Sequence, residues 1–419
     1  MAFSSTRIDE SPGARLRACT QRDANLVNLR ESDGSLALYV HWPFCVSKCP
    51  YCDFNSHVRE TIDQEDWGEA LLTDLGHEAR LLPGRKLASI FFGGGTPSLM
   101  EPATVEAIIT AAATHWTPAP NLEITLEANP NSVEAARFAD LSCAGVNRLS
   151  LGLQSFNDAA LSFLGRAHSA GEGWRALEIA QRKFRRVSFD LIYALPGDSE
   201  ENWSATLAQA LSLGTSHLSL YQLTIEPGTR FATMVAKRDF EPIDGEVAAA
   251  LFELTDAMTS AGGMPAYEIS NHARPGQESR HNLTYWRYGD YAGIGPGAHG
   301  RRLGMRTVRH KKPENFISAL RRNGHGIAEE AVLPASQAAD EALVMGLRLR
   351  EGIDPAAIAR RFGLTELVDW RRVDRLVGTG HLARNGTHIA LTAQGRLVLD
   401  HILGEIAAPG AKARVSAVA

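Results

Sequence analysis

Short apolar segments alternate with longer segments of helical period through the first half of the chain, and this rhythm constrains the fold more than any other feature. The pattern predicts strands at residues 38–42, 87–92, 122–127, 148–154, 187–193 and 217–223. It predicts helices near residues 63–82, 102–115, 132–144, 170–184 and 200–213. Strands separated by helices indicate βαβ units and a parallel sheet. We therefore expect an α/β fold with a partial (β/α)6 TIM-like barrel, and a flat doubly wound sheet is the alternative.

The rhythm ends after residue 223, and the rest of the chain shows other patterns. A helix near 245–261 precedes a stretch rich in Gly, His and aromatic residues, 267–300, which we interpret mostly as loop. Helices near 337–349, 355–361 and 366–377, a hairpin at 381–384 and 388–391, and a last helix from Ala393 indicate a small α+β winged-helix-like domain. The predicted divisions are a mobile extension at 1–35, the barrel with the following loop region at 36–333, the winged-helix-like domain at 334–404 and a flexible tail at 405–419.

Charge and hydropathy argue against two classes of partner. The formal net charge is −5, so the chain lacks the basic character typical of nucleic-acid-binding proteins. No apolar run reaches the roughly 18 residues that a bilayer-spanning helix needs, so we expect no stable membrane span. Residues 1–35 mix Arg, Asp, Glu and Ser and lack the apolar core of a secretory signal. These features predict a cytoplasmic protein.

Three of the five cysteines, Cys45, Cys49 and Cys52, lie close together directly after the first predicted strand. In parallel α/β folds, ligands collect at the carboxyl ends of the strands. Thiolates are soft anionic ligands that suit iron–sulfur clusters and zinc. Three cysteines can ligate three irons of a [4Fe–4S] cluster and leave the fourth iron open to an outside ligand. A zinc site completed by His41 or His57 is one alternative, and a chance grouping of buried cysteines is another.

Glycines and polar residues mark the ends of the other predicted strands. A glycine run at 93–95 ends the second strand, where the lack of Cβ atoms lets the backbone approach a ligand, although an ordinary turn also uses glycine. Glu127 ends the third strand, Gln154 ends the fourth, Arg166 follows it, and Asp190 lies within the fifth. A charged residue in an apolar strand is costly unless it is paired or functional. We expect these side chains on one rim of the barrel, as a binding site or as structural ion pairs.

The Cys-x3-Cys-x-aromatic-Cys spacing, with Tyr51 as the aromatic residue, resembles the signature of the radical S-adenosylmethionine superfamily. From about residue 36 to residue 401, the chain resembles the family that includes oxygen-independent coproporphyrinogen III oxidase and the HemW-type haem chaperones. The resemblance implies a [4Fe–4S] cluster on the three cysteines and S-adenosylmethionine as a cofactor. The residues that it implies as S-adenosylmethionine contacts are Tyr39, Tyr51, Gly95, Thr96, Pro97, Glu127, Gln154, Arg166 and Asp190.

Two features distinguish the branches of this family. The oxidase motif continues with a further cysteine two residues beyond the last ligand, where this chain has Phe54. The chaperone branch has a His-Asn-x-x-Tyr motif, which His281, Asn282 and Tyr285 match and which the resemblance implicates in haem binding. Neutral imidazole is a common axial ligand of haem iron, although a histidine in a polar loop is more usually hydrogen-bonded or solvated. The aromatic residues that could pack against a porphyrin are Tyr285, Trp286, Tyr288 and Tyr291.

The resemblance leads us to expect a haem chaperone that passes haem to an acceptor protein and whose cluster receives electrons from a donor. The alternative is an oxidase that decarboxylates coproporphyrinogen III through a 5′-deoxyadenosyl radical, so the sequence leaves open whether the protein is an enzyme. Phe54 argues against that activity. A third hypothesis is a zinc-stapled barrel with an unrelated substrate.

Overall fold

The computed structural model describes residues 34–407. The strands are β1 (Ser35–Trp42), β2 (Phe44–Cys45), β3 (His57–Val58), β4 (Lys86–Gly94), β5 (Thr117–Ala128), β6 (Arg148–Gln154), β7 (Arg186–Tyr193), β8 (His217–Gln222), β9 (Asn271–Ala273), β10 (Tyr291–Ile294), β11 (His299–Arg302), β12 (Met305–Arg309), β13 (Ile327–Val332), β14 (Leu382–Asn385) and β15 (His388–Leu391). The helices are α1 (Gln64–Leu81), α2 (Pro102–His115), α3 (Ser132–Ala136), α4 (Phe138–Cys143), α5 (Asp158–Phe163), α6 (Ala170–Lys183), α7 (Glu200–Ser212), α8 (Arg230–Ala236), α9 (Gly245–Ala261), α10 (Arg280–Trp286), α11 (Pro313–Asn323), α12 (Ala335–Leu347), α13 (Pro355–Arg361), α14 (Trp370–Gly378), α15 (Ala393–Leu397) and α16 (Leu399–Ile406).

The main sheet has eleven strands in the order β13-β12-β11-β10-β1-β4-β5-β6-β7-β8-β9. The six predicted strands, now β1 and β4 to β8, follow one another in chain order and pair in parallel. A doubly wound sheet would reverse its strand order at a switch point, whereas these six strands keep chain order. A seventh parallel strand, β10, pairs with β1 on its other side. Antiparallel strands flank both ends, β9 beside β8 and β11 to β13 beyond β10. The predicted partial barrel is therefore confirmed.

Each parallel strand buries apolar side chains on one face and directs polar ones to the other. In β1, Leu36, Leu38 and Val40 pack into the main core beneath the helices, and Tyr39 and His41 face the opposite way. The interior face of β5 to β8 carries polar side chains, namely Glu123, Thr125, Glu127, Arg148, Ser150, Ser188, Asp190, His217 and Ser219. Closed TIM barrels fill their interior with branched apolar side chains. Here the polar interior makes a chamber for binding.

A second hydrophobic core lies in the C-terminal part of the chain. Helices α12, α13, α14 and α16 and the β14–β15 hairpin enclose it, and the largest contributions come from leucine, isoleucine and valine side chains that are almost fully buried, such as Leu347, Val373, Ile389 and Ile402. This unit matches the predicted arrangement of helices followed by a hairpin. Among the helices of residues 34–407, none combines the length and hydropathy that a bilayer crossing requires.

Three expectations from the sequence need correction. Residues 267–300 contain more regular structure than expected, because β9, α10 and β10 lie between the irregular segments there; each is too short to show a period, and tertiary contacts stabilise them. The helix predicted at 132–144 is two helices that divide at Arg137, and the one predicted at 366–377 begins only at Trp370. Residues 405–407 are ordered, since Ile406 is buried in the second core. The rest of the predicted tail, and residues 1–33, lie outside the described residues.

A buried ion-pair network joins the antiparallel strands to the barrel. Arg309 of β12 contacts Asp74 (Nε–Oδ2, 3.2 Å) and Glu78 (Nη2–Oε1, 2.6 Å) of α1, and Arg302 of β11 donates to Glu78 at 2.7 Å. Asp74 also accepts the backbone N–H of Gly295, in the turn after β10. The side chains of both arginines and both acids are at most 4% exposed. Because every charge has a partner, the network is tolerable in the interior.

Removal of one member should be costly. We expect Arg309→Ala to lower the free energy of unfolding by about 3–5 kcal/mol, because it leaves the buried Asp74 without its cation and Glu78 with Arg302 alone. The matched control is Arg306→Ala on the same strand. The ion pair of Arg306 with Glu329 is about half exposed, so this substitution should lower the free energy of unfolding by at most about 1 kcal/mol. Denaturant unfolding measures both values, and equal effects of the two substitutions would contradict a structural role for the network.

Candidate functional site

The three clustered cysteines lie in the loop that follows β1, at the mouth of the barrel. Cys45 belongs to β2, which pairs with β3, and the backbone N–H of Cys52 donates to the carbonyl of Cys49 at 3.2 Å. The side-chain amide of Asn55 ties the loop to the turn after β10 by donating to the carbonyl of Pro296 at 2.9 Å. The three side chains are partly exposed and line one cavity of about 220 Å³. We call it the mouth cavity.

The mouth cavity also contains most of the other residues expected at the site. Of the residues that the resemblance implies for S-adenosylmethionine, those in its wall are Tyr51, Gly95, Thr96, Pro97, Glu127, Gln154, Arg166 and Asp190. Tyr39 does not line it. Parallel strands that end at one rim bring together side chains that are far apart in sequence.

Neither histidine of the zinc alternative lines the mouth cavity with the three cysteines. Both ring nitrogens of His41 are in hydrogen bonds, Nδ1 with the Tyr39 hydroxyl at 3.0 Å and Nε2 with the Asn55 carbonyl at 2.9 Å. The Nε2 atom of His57 contacts the Lys311 carbonyl at 3.3 Å. Within residues 34–407, no group of three or more His, Cys, Asp or Glu side chains is arranged to hold a single metal ion. The arrangement of the cysteines around a cavity fits a larger cluster better than one zinc ion.

Two side chains donate hydrogen bonds to cysteine sulfurs, and one residue positions both donors. The Thr96 hydroxyl lies 3.6 Å from the Sγ of Cys45, and Nη1 of Arg166 lies 3.4 Å from the Sγ of Cys49. The Asn129 amide donates to the Thr96 hydroxyl at 3.2 Å and accepts from Nη2 of Arg166 at 2.6 Å. Burial raises the pKa of Cys45, and the Thr96 hydrogen bond partly offsets this effect. Donors of this kind stabilise thiolates that bind metal.

The glycine run is required by close backbone contacts. A Cβ atom on Gly95 would lie 2.6 Å from the Phe44 carbonyl oxygen and 3.0 Å from the Sγ of Cys45. Gly94 has a φ of +115°, which disfavours other residues, and its N–H donates to Oε2 of Glu127 at 3.3 Å. The run therefore brings the end of β4 against the cysteine loop and exposes backbone groups to the mouth cavity, as a cradle for a polar ligand group would.

Two buried carboxyl groups face the same interior. Burial, and then the nearby charge of Asp190, raise the pKa of Glu127 to about 8. Burial likewise raises the pKa of Asp190 to about 6, although the hydrogen bond with Ser219 and the charge of Arg148 act in the opposite direction. Carboxyl groups with such values sit in places where a ligand with positive charge or hydrogen-bond donors would stabilise their ionised forms.

Gln154, Tyr51 and Pro97 lie in the wall of the mouth cavity for different structural reasons. Gln154 has a φ of +65°, uncommon for a residue other than glycine, and its buried Oε1 has no hydrogen-bond partner. The Tyr51 ring packs 6.3 Å from that of Phe231, between centroids. Pro97 begins the short 3-10 turn after β4, where its missing N–H costs nothing. Gln154 thus combines an unpaired buried oxygen with a strained backbone in the wall of the mouth cavity.

Residues of the predicted haem motif lie in a second cavity, of about 290 Å³, inside the barrel. Helix α10 carries His281, Asn282 and Tyr285 across the end of the barrel opposite the mouth, and Glu123, in the middle of β5, accepts the backbone N–H of Arg280 at 2.9 Å. We call this space the floor cavity. The residues in its wall that were expected from the sequence are Tyr39, His281, Asn282, Tyr285 and Trp286. Tyr39 thus belongs to the floor cavity and stands between the two cavities.

His281 is neutral and has one unused nitrogen. Burial, and then the charge of Arg148, lower its pKa to about 3. Its Nδ1 forms a hydrogen bond with the Ser89 hydroxyl at 3.0 Å, and its Nε2 is buried without a partner. The imidazole stacks on Phe91 with 4.9 Å between ring centroids. A neutral, oriented imidazole with a free nitrogen is suited to ligate iron.

Sequence reasoning missed several residues of both cavities. Asn129 lies two positions after Glu127, so its place beside the rim could have been noticed. Glu268 and Arg348 line the floor cavity but carry no local signal, because only the packing of the C-terminal unit brings Arg348 there. Tyr288 is not in the wall of this cavity; its ring contacts the Arg301 guanidinium at 3.6 Å and packs in the second core.

The raised pKa of Glu127 predicts a pH-dependent gain in stability when it is replaced. Between about pH 4.5 and pH 8 the unfolded chain loses the Glu127 proton before the folded chain does, so stability falls as pH rises. We expect Glu127→Gln to raise the free energy of unfolding of the cofactor-free protein, slightly at pH 5 and more at pH 8. Denaturant unfolding at both values tests this, and Glu253→Gln on the exposed face of α9 is the control. An effect of Glu127→Gln that is the same at both pH values would contradict a raised pKa of Glu127.

Comparison with known proteins agrees with this geometry. The sequence profile of the Radical SAM superfamily matches residues 39–210, and that of the HemN C-terminal domain matches residues 333–398. The haem chaperone HemW of Escherichia coli is 37% identical over 378 residues, which are 88% of this chain and 97% of that protein. The mouse protein named radical S-adenosyl methionine domain-containing protein 1, mitochondrial, is 38% identical over 88% of this chain and 86% of its own length.

A solved structure shows the same fold. The radical SAM enzyme coproporphyrinogen III oxidase (HemN) of Escherichia coli superposes with a TM-score of 0.75 over 88% of this chain and 89% of that chain, at 23% identity. This similarity includes both the partial barrel and the C-terminal unit. With the sequence relatives, it shows that the chain belongs to the HemW family within the radical S-adenosylmethionine superfamily.

Proposed function

We propose that this protein is a haem chaperone. It binds a [4Fe–4S] cluster through Cys45, Cys49 and Cys52 and S-adenosylmethionine in the mouth cavity, and it binds haem at His281 and transfers it to an acceptor protein. The observation that carries the proposal is the free Nε2 of His281, in a cavity of the same barrel whose mouth presents the three cysteines. The HemW relatives, named as haem chaperones, support it.

The residues of the mouth cavity fit the two proposed cofactors. Three thiolates leave one iron of a cubane open, and Gly94, Gly95 and Glu127 offer backbone and carboxylate groups for the amino group of the nucleotide. When bound, such a cluster supplies one-electron reducing chemistry to its ligand. The protein positions the reactants, and Thr96 and Arg166 direct hydrogen bonds at the sulfurs. S-adenosylmethionine is a cation, so it would favour the ionised forms of Glu127 and Asp190.

The residues of the floor cavity fit an iron porphyrin. Nε2 of His281 can bind iron only if its lone pair is free, so the proton of the neutral ring must be on Nδ1. The Nδ1–H group then donates a hydrogen bond to the Ser89 hydroxyl. The imidazole packs between the rings of Phe91 and Tyr285. The distances from its centroid to theirs are 4.9 Å and 5.1 Å. Trp286 and Tyr221 add aromatic surface to the wall. The site therefore combines an oriented ligand atom with flat apolar surfaces.

The oxidase alternative is less well supported. Phe54 stands where the oxidase motif has an additional cysteine, and its side chain is 64% exposed at the mouth. A phenyl ring cannot supply the thiol that this position provides in that motif. The likeness to coproporphyrinogen III oxidase concerns the fold, which both branches share.

The proposal implies two protein partners, a haem acceptor and an electron donor. The cysteine loop is partly exposed, so a donor can approach the cluster from the mouth without a change in fold. The thiolates must stay reduced before the cluster is assembled, which agrees with the expected cytoplasmic location. The function of the electron donor would be to keep the cluster in its reduced state.

Cluster binding should depend on the three cysteines and on no other described cysteine. After anaerobic reconstitution with iron and sulfide, the protein is expected to show the broad absorbance of a [4Fe–4S] cluster. Cys49→Ser should abolish it because only two thiolates remain. Cys143→Ser, at an exposed cysteine on α4, should bind a full complement of iron. Iron and sulfide analysis gives the stoichiometry, and tight zinc binding without a cluster would refute the proposal.

Haem binding should depend on His281. Titration of the full chain with haem is expected to produce a Soret shift, and His281→Ala should weaken the affinity on the order of tenfold or more, the effect of losing about 1.4 kcal/mol of contact. Ser89→Ala should weaken it less because it removes only the orienting hydrogen bond. His115→Ala, at an exposed position on α2, is the control. An unchanged titration in His281→Ala would oppose the proposal, and conversion of coproporphyrinogen III to protoporphyrinogen IX would favour the oxidase alternative.

A further inference from the structure

Four buried polar atoms without hydrogen-bond partners belong to residues that line the floor cavity. They are Nε2 of His281, Nε1 of Trp286, Oε2 of Glu268 and Nε of Arg348. An unpaired buried polar group costs about 1–3 kcal/mol, so most such groups in folded proteins find a partner. Their concentration around one space indicates a ligand that supplies the missing partners. His281 accounts for an iron ligand, and Oε2 of Glu268 lies at ion-pair distance from Arg348. The two donors, Nε of Arg348 and Nε1 of Trp286, need a separate explanation.

Arg348 is the one cationic residue in the described wall of the floor cavity. It follows helix α12 of the C-terminal unit, and its guanidinium carbon lies 4.6 Å from the centre of the Trp286 ring. Its Nη2 is 3.5 Å from Oε2 of Glu268, which is an ion-pair distance without a hydrogen bond. Its Nε–H and the Trp286 indole N–H are donors from neighbouring groups, and both lack an acceptor.

Glu268 does not use up the charge of Arg348. Its Oε1 accepts the backbone N–H of Ser270 at 2.9 Å and the side-chain amide of Asn271 at 2.6 Å, so these donors hold the carboxylate in place. Nη2 is the guanidinium nitrogen nearest this carboxylate, and Nε makes no hydrogen bond within the described residues. A guanidinium edge next to an indole N–H is suited to receive a carboxylate.

We propose that Arg348 and Trp286 bind a propionate carboxylate of the haem whose iron faces His281. This inference rests on the proposed function and adds to it the recognition of the haem side chain. One propionate oxygen accepts from Nε of Arg348 and the other from Nε1 of Trp286. The cavity of about 290 Å³ is at the small end for ligand sites, so it encloses an edge of the porphyrin and not the whole ring.

The position of Arg348 makes haem retention depend on the C-terminal unit. This unit docks on the segment that carries His281: the Tyr288 hydroxyl donates to Glu341 at 2.8 Å, and Arg287 forms two hydrogen bonds with Glu351 at 2.7 and 2.8 Å. The barrel supplies the iron ligand, and the C-terminal unit supplies the cation for the propionate. Movement of this unit away from α10 would therefore withdraw one of the two contacts.

The test compares haem with its dimethyl ester, in which both propionates are esterified. Wild-type full-length protein is expected to bind haem about tenfold more tightly than the ester, as measured by Soret titration. Arg348→Ala should weaken haem binding by a similar factor and leave ester binding nearly unchanged. Trp286→Phe should give the same pattern with a smaller effect, because it keeps the ring and removes the N–H. Arg350→Ala, two residues away and exposed, is the matched control and should resemble wild type.

The outcomes separate this inference from the proposed function. Suppose that His281→Ala weakens haem binding, and that Arg348→Ala either weakens the binding of haem and ester equally or changes the binding of neither. The propionate contact is then wrong, and the chaperone proposal stands. If the wild-type protein binds neither ligand, both proposals fail. Arg348→Lys keeps the charge and loses the guanidinium edge, so partial recovery of the preference for haem supports the contact. Circular dichroism of each variant checks that the C-terminal unit remains folded.

Discussion

The alternation of apolar and polar side chains along the six parallel strands is the constraint on which the rest of this structure depends. Because the apolar face packs under the helices, the polar face must enclose a space, and an open sheet leaves that space accessible. Water or a ligand must then satisfy the buried groups that no neighbour reaches. The chamber is thus a consequence of strand pattern and topology, and both cavities lie within it.

The two cavities occupy opposite parts of one chamber, and the chain supplies them in different ways. Strand ends and the loops that follow them build the mouth cavity, so its residues come from successive βα units. Strands β1, β4 and β8 also line the floor cavity, which α10 and one residue of the C-terminal unit complete, and Glu123 fixes the start of α10. Tyr39 lies between them, with its hydroxyl on His41 and its ring near His281.

Stability and binding make opposite demands on this interior. Glu127 and Asp190 are buried carboxyl groups whose raised pKa values record a penalty that a bound cation would relieve. A second set of buried carboxylates, Asp74 and Glu78, differs because each is paired with an arginine. The ion pairs with Arg302 and Arg309 hold the antiparallel strands in place. The paired charges of this network hold strands together, whereas Glu127 and Asp190 line the mouth cavity without an ion pair to any described residue.

The sequence by itself determined the positions of the six parallel strands, the barrel that follows from them and the cysteine loop, because each is a local pattern of period or spacing. It also identified His281, but only through a motif, since nothing in the loop-like stretch around it shows a period. The tertiary structure alone decided that Tyr39 faces the floor, that Asn129 holds Thr96 and Arg166, and that Glu268, Trp286 and Arg348 meet around one space. Those contacts join elements far apart in the chain, and they arise from how the elements pack, which a local pattern does not encode.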